Sequence, residues 1–295
     1  MGDIKCINEE ENGESLACLI IDDPLLKPKY GCLDYRKLLK EMKDHDFFTE
    51  IAFIPYNYKR SDTEIVRLFA ENPDRLGICV HGCNHTFNEF GVDDDRLLER
   101  LAHTALWRME EHKNRTGLPY DLVMVFPQGR FSSTAMKVLR EAGYLAAFNS
   151  SITATDRQEL PESEYKRPAT KVYHDFPLFL RRYPKDQADF VRDIQLGRPI
   201  IVVEHHTAFK NGYQNITELV DWINTLGKIR WTSLLNIAEF YLREKAPSIR
   251  QNTGPPPERL RARLKIAARR RLSEVRDNFV ETNELMSRIY RLIRG

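Results

Sequence analysis

The sequence predicts an α/β protein whose strands are mostly parallel, in a sheet that is either open or closed into a barrel. Two observations predict it. Short apolar or β-branched runs alternate with longer segments of helical period, and the connections between them are short. At 42% hydrophobic and 30% charged, the 295 residues also have a globular composition, which excludes wholesale disorder. The runs are Leu16–Ile21, Glu50–Ile54, Leu76–Val80, Leu122–Phe126, Tyr144–Phe148 and Pro199–Val203, with Ile229–Thr232 as one more. Between them, Tyr35–Lys43, Asp62–Glu71, Asp93–Asn114, Ser133–Ala142, Asp186–Gln195 and Thr217–Thr225 read as amphipathic helices. Asp62 and Asp93 are placed to cap helices, and Gly143 and Gly227 to end them. Ser150–Tyr173 is polar, carries Pro161 and Pro168 and has no period, so it reads as a long loop over one face.

Charge divides the chain. It holds 45 Lys+Arg against 43 Asp+Glu, a net +2, which argues against a protein basic throughout and built to coat nucleic acid. Residues 258–295 alone carry eleven basic and five acidic side chains, so the remainder is mildly acidic. Gly254-Pro255-Pro256-Pro257 reads as a stiff linker. After it, small or apolar residues recur at 268, 272, 275, 279, 286, 289 and 293, one narrow stripe on a basic helix. The expected organisation is a lead-in at 1–13, a catalytic-type domain at 14–247, a linker at 248–257 and a helical tail at 258–295. The first residues lack the apolar stretch of a signal peptide, and the five cysteines are an odd number without framework spacing. Both point to reduced thiols and a cytoplasmic protein. Its tail would attach it peripherally to the inner membrane face or pair it with a second copy.

In parallel α/β architectures the chemistry gathers beyond the carboxyl ends of strands. The first run ends in Asp22-Asp23, the third in His81-Gly82-Cys83-Asn84-His85-Thr86, and the sixth in Glu204-His205-His206. The fourth leads into Pro127-Gln128-Gly129-Arg130. His81 and His85 are four apart, so one helical turn would put both rings on one face, a usual geometry for a divalent ion. Asp23 or Asp22 could supply a third ligand, leaving the open position of a catalytic site. Adjacent residues leaving a strand point in opposite directions, so one carboxylate can face a metal while its neighbour faces the reacting atom. Adjacent carboxylates often cap helices instead, but Pro24 follows and the helical pattern starts only near Leu33. Cys83, between the histidines, projects away from them and reads as structural. Trp107, Trp222 and Trp231 sit in helix or strand patterns and read as core.

These residues, in this order, resemble the polysaccharide deacetylases, the NodB-homology domain of carbohydrate esterase family 4. The resemblance covers about residues 14–245 and implies a distorted (β/α)7 barrel that removes acetyl groups from sugars with a divalent metal. It implies Asp22 as base, Asp23, His81 and His85 as ligands, Pro127, Gly129, Arg130 and Arg182 toward substrate, and His205 or His206 as acid. Zn²⁺ is the expected ion, with Co²⁺, Ni²⁺ or Mn²⁺ as substitutes. Three positions depart from the family. Val125 stands where the family has an Arg that steadies the catalytic Asp, so Arg130, Arg181 or Arg182 has to replace it. Gly82 replaces the usual Ser or Thr, and the Asp-Trp motif has no equivalent nearer than His174 to Arg182.

The expected substrate is an N-acetylated sugar at the precursor stage, a nucleotide sugar or a lipid-linked glycan precursor in glycoconjugate biosynthesis. Two other classes fit parts of the pattern: a catalytically silent barrel that binds a glycan or a partner, favoured by Val125, and a metal amidohydrolase acting on a non-sugar amide. Nucleic-acid binding is disfavoured, because the tail lacks interleaved aromatics beyond Phe279 and Tyr290.

Overall fold

A computed structural model describes residues 14–156, 169 and 171–249. The linker at Gly254 and the striped tail lie outside the described residues. The chain divides between Glu244 and Lys245, and the barrel belongs to the first unit.

The seven apolar runs are strands: β1 (Ser15–Asp22), β4 (Thr49–Phe53), β5 (Leu76–His81), β6 (Asp121–Val125), β7 (Ala146–Asn149), β10 (Ile200–His205) and β11 (Ile229–Trp231). Four more strands had no counterpart in the sequence pattern. A small hairpin, β2 (Lys29–Tyr30) and β3 (Leu33–Asp34), follows the first strand. β8 (Lys171–Tyr173) and β9 (Phe176–Leu180) pair antiparallel. The helices are α1 (Tyr35–His45), α2 (Thr63–Ala70), α3 (Asp95–Thr116), α4 (Ser133–Ala142), α5 (Gln187–Gln195), α6 (Gln214–Asn224) and α7 (Leu234–Ile249). Asp62 caps α2 through the Glu64 N–H, whereas α3 is capped by Asp94, one residue beyond the expected Asp93. Gly143 ends α4 in the left-handed conformation, φ 95°.

Seven strands run parallel in the order β10-β1-β4-β5-β6-β7-β9. The circle closes through one residue: the Arg182 N–H donates to the Ile201 carbonyl at 2.8 Å, and Val203 N–H to the Arg182 carbonyl at 2.8 Å. The sheet is therefore a distorted (β/α)7 barrel with a thin seam between β9 and β10. Alternation builds two cores. Ala17, Leu19 and Ile21 of β1 face the helices, while Leu16, Cys18 and Ile20 join Val123, Val125, Phe148, Phe179, Ile201 and Val203 inside the barrel.

The first turns of α7 lie at the amino-terminal end of the strands, where Leu234, Ile237 and Ala238 join the interior cluster. Buried Glu50 and partly buried Asp121 meet its first turn, accepting from the N–H groups of Leu234 at 3.4 Å and Leu235 at 2.7 Å. Among the described residues, no helix is long and apolar enough to cross a membrane.

Candidate metal centre

β1 and β5, separated by β4, end at the opposite mouth of the barrel. Asp23 leaves β1 with a left-handed backbone, φ 77°, which turns its side chain across the mouth. Its Oδ1 lies 3.1 Å from His81 Nε2 and 3.0 Å from His85 Nε2, and its Oδ2 lies 3.5 Å from His205 Nδ1. One ligand atom from each of Asp23, His81 and His85 falls within 4.8 Å of the others.

The two histidines are not on a helical turn. His81 is the last residue of β5, and Gly82 and His85 both take left-handed backbones, φ 63° and 60°. The loop folds around Glu89, a buried carboxylate that accepts from the N–H groups of Cys83 (2.9 Å), Asn84 (2.7 Å) and His85 (3.2 Å). Gly82 has to be glycine: a Cβ there would stand 2.4 Å from Pro127 and 2.6 Å from Glu89. The extra turn that a helix would have provided is thus replaced by a carboxylate wrapped in backbone donors. Cys83 is buried and its sulfur lies 3.3 Å from the Arg108 guanidinium, away from the histidine rings.

His81 is fully buried, and its Nδ1 donates to the Val125 carbonyl at 2.9 Å. In the neutral ring that leaves Nε2 as a lone pair, and it faces a carboxylate oxygen, which has only lone pairs. Neither His81 Nε2 nor Asp23 Oδ1 has a hydrogen-bond partner, and both are shut away from solvent. Two opposed acceptors at 3.1 Å fit a cation shared between them, and a carboxylate with two imidazoles is a set that suits Zn²⁺. The Nδ1–carbonyl bond is the kind of outer contact that orients a ligating histidine. Burial pushes the Asp23 carboxyl up, but His205, His81 and His85 outweigh it and hold it far below the usual range. Asp23 in turn raises the imidazoles of His85 and His205.

Asp22, 3% exposed, points to the other side of the strand end and meets Arg181, whose Nη1 donates to its Oδ1 at 2.6 Å. Arg181 follows β9, and its N–H donates to the Asn149 carbonyl at the end of β7. Its guanidinium therefore enters from the end of β9, two strands along from β6, which carries Val125. Arg182, one residue on, is turned outward into ion pairs with Asp189 and Asp193 of α5, so its contacts are with the scaffold. Arg130 donates to Asn88 Oδ1 at 2.7 Å and lies over the ring of exposed Phe87 at 5.2 Å. Pro127-Gln128-Gly129 forms a tight turn whose Gly129 carbonyl accepts from Asn149. His206 is turned away from Asp23 toward the edge of the Tyr30 ring, centroids 4.9 Å apart.

No protein-family sequence model matches the chain, and no curated protein matches its sequence. Solved structures do. A Mycobacterium smegmatis protein assigned as a polysaccharide deacetylase superposes with a TM-score of 0.55 at 14% identity, over 81% of this chain and 94% of that one. The chain has the polysaccharide deacetylase fold. Family 4 carbohydrate esterases from Bacillus anthracis (15% identity, 78% and 84% coverage) and Streptomyces lividans (10%, 75% and 93%) match with TM-scores of 0.47 and 0.44. On this polysaccharide deacetylase barrel, Asp22, Asp23, His81, His85 and His205 share one mouth, with Arg181 buried against Asp22. Sequence patterns offered Arg181 only as one of three candidate arginines, and they did not single out Glu89. The apolar run Phe176–Leu180 ending in Arg-Arg was the available signal for the first; the second had none.

Proposed function

We propose that the protein is a metal-dependent hydrolase that removes the N-acetyl group from a sugar precursor. The observation that carries this reading is the opposed pair of acceptors, Asp23 Oδ1 and His81 Nε2, buried without hydrogen-bond partners beside His85. Asp23, His81 and His85 would hold the divalent ion, and His205 lies at the edge of the same cluster. When bound, such an ion lowers the pKa of water and polarises an acyl carbonyl.

The chain's own residues divide the proton work. Asp22, held by Arg181, accepts the proton of the attacking water, and the guanidinium fixes which carboxylate oxygen faces the mouth. This supplies from β9 the cation that Val125 leaves missing, which favours a working enzyme over a silent barrel. His205, whose imidazole Asp23 makes more basic, donates a proton to the leaving amine. Pro127, Gly129 and Arg130 shape one wall for the sugar. The substrate class is an N-acetylated sugar carried on a nucleotide or on a lipid, consistent with the sugar chemistry of the Mycobacterium smegmatis relative.

Metal analysis of the purified protein, coupled to acetate release from nucleotide-linked and lipid-linked N-acetylated sugars, tests the reading. About one divalent ion per chain is expected. Asp22→Asn should keep that ion and lose turnover by about 10²–10⁴-fold. Full turnover in that variant overturns the assignment.

A further inference from the structure

A cavity of about 340 Å³ opens between the β2–β3 hairpin and the segment after β10. Three lysines from three parts of the chain line it: Lys29 on the hairpin, Lys37 on α1 and Lys210 beyond His206. Among the described residues none of the three makes an ion pair. Their neighbours on α1 do: Arg36 pairs with Glu64, and Lys40 with Asp44. The one acid in the lining, Asp34, is already committed, because its Oδ1 accepts the N–H groups of Arg36 and Lys37 as the cap of α1. Tyr213 holds the hairpin to α6 by exchanging hydrogen bonds with the Asp34 main chain at 2.9 and 2.8 Å. Three lysines against the one capping carboxylate leave a surplus of positive charge around a concave surface, and an anion offsets that surplus.

Position links this cavity to the reaction. Gly31, in its lining, has φ +57°, and a Cβ there would fall 2.2 Å from His206 Nδ1. The hairpin therefore closes directly onto the residue that follows His205. We propose that this cavity is an anion subsite that takes the phosphoryl or diphosphoryl group of the substrate while the acetylated sugar reaches the metal centre. The inference rests on the deacetylase reading for its purpose but not for its physical basis. Nucleotide-linked and lipid-linked sugars share this group, so the cavity reads the linkage and not the carrier. A finished neutral polymer has nothing to place there.

Calorimetric titration of the full chain with inorganic pyrophosphate is the test. Lys29→Ala/Lys37→Ala/Lys210→Ala should weaken binding by about tenfold or more, and raising the salt concentration should weaken wild type likewise. Asp23→Ala should bind pyrophosphate as wild type does, because the cavity does not use the metal. The single reversal Lys37→Glu should weaken binding too, which checks that charge and not shape is responsible. No binding by wild type, a triple variant that binds as wild type does, or binding lost in Asp23→Ala overturns the proposal. Competition by uridine diphosphate against farnesyl diphosphate then identifies the carrier. Lysine-dependent pyrophosphate binding without acetate release from any sugar would sink the deacetylase reading and leave the subsite standing. Acetate release with lysine-independent binding would do the reverse.

Discussion

Each end of the barrel holds a pair of carboxylates, one buried and one partly buried, and the two pairs sit in opposite surroundings. At the mouth, Asp22 meets a buried guanidinium, and Asp23 is ringed by three imidazoles that hold it ionised. At the floor, Glu50 and Asp121 meet mainly apolar side chains and two N–H groups of α7. Burial, helped by the nearby Asp121 charge, pushes the Glu50 carboxyl well above its usual range, and burial pushes Asp121 up to about 6. Asp23 is thus kept charged at one end, while Glu50 and Asp121 are driven toward the neutral form at the other. The partners on neighbouring strands decide which.

The largest effect is expected from removing the anion that the cationic mouth is built around. Asp23→Ala should lose its bound divalent ion and at least about 10³-fold in turnover, equivalent to about 4 kcal/mol of transition-state stabilisation. Elemental analysis and acetate release measure both, and retained metal would break the ligand assignment. Arg181→Ala makes the mouth resemble the floor by leaving Asp22 buried without its cation. It should cost about 3–5 kcal/mol of stability, read by denaturant unfolding. Replacing both partners by apolar residues should recover much of that stability and none of the turnover.

Glu89 tests how far the mouth depends on its loop. Glu89→Ala strands three N–H groups and should weaken metal binding by about 10–100-fold, measured by chelator competition. Glu89→Gln, which keeps one acceptor oxygen, should fall between.

The smallest effect belongs to the floor. Asp121 has its pKa raised from 3.8 to about 6, so its folded form holds a proton that the unfolded chain has already released. Stability is therefore full below about pH 4 and is lost as pH rises through about 6, with Glu50 extending the loss upward. Glu50→Gln removes one of the two titrations. It should raise the melting temperature at pH 8 by about 2–4 °C, or about 1 kcal/mol, and change little at pH 4. An equal shift at both pH values would contradict the electrostatic account.

Much of this was legible from periodicity. Six strand–helix repeats could be read because each strand is a short apolar run with a polar exit, and those exits carry Asp22, Asp23, His81 and His205. β9 was not legible. It holds Pro177, which argues against a strand, and it is tolerated because on one side Pro177 pairs with Val172 of the short antiparallel β8. With β9 unread, its exit residue Arg181 could not be told from Arg182 or Arg130. The expected helical turn for His81 and His85 was also not found, because four-residue spacing says nothing of a buried carboxylate that bends the intervening backbone.

By itself the sequence determined the residue types and their order: an Asp pair, a His pair and a late His, each leaving an apolar run at the same end. Parallel strands then bring those exits together whatever the details. Tertiary structure alone decided which arginine faces Asp22. Successive residues on a strand point to opposite faces, and the seam between β9 and β10 sends Arg181 inward and Arg182 out to α5.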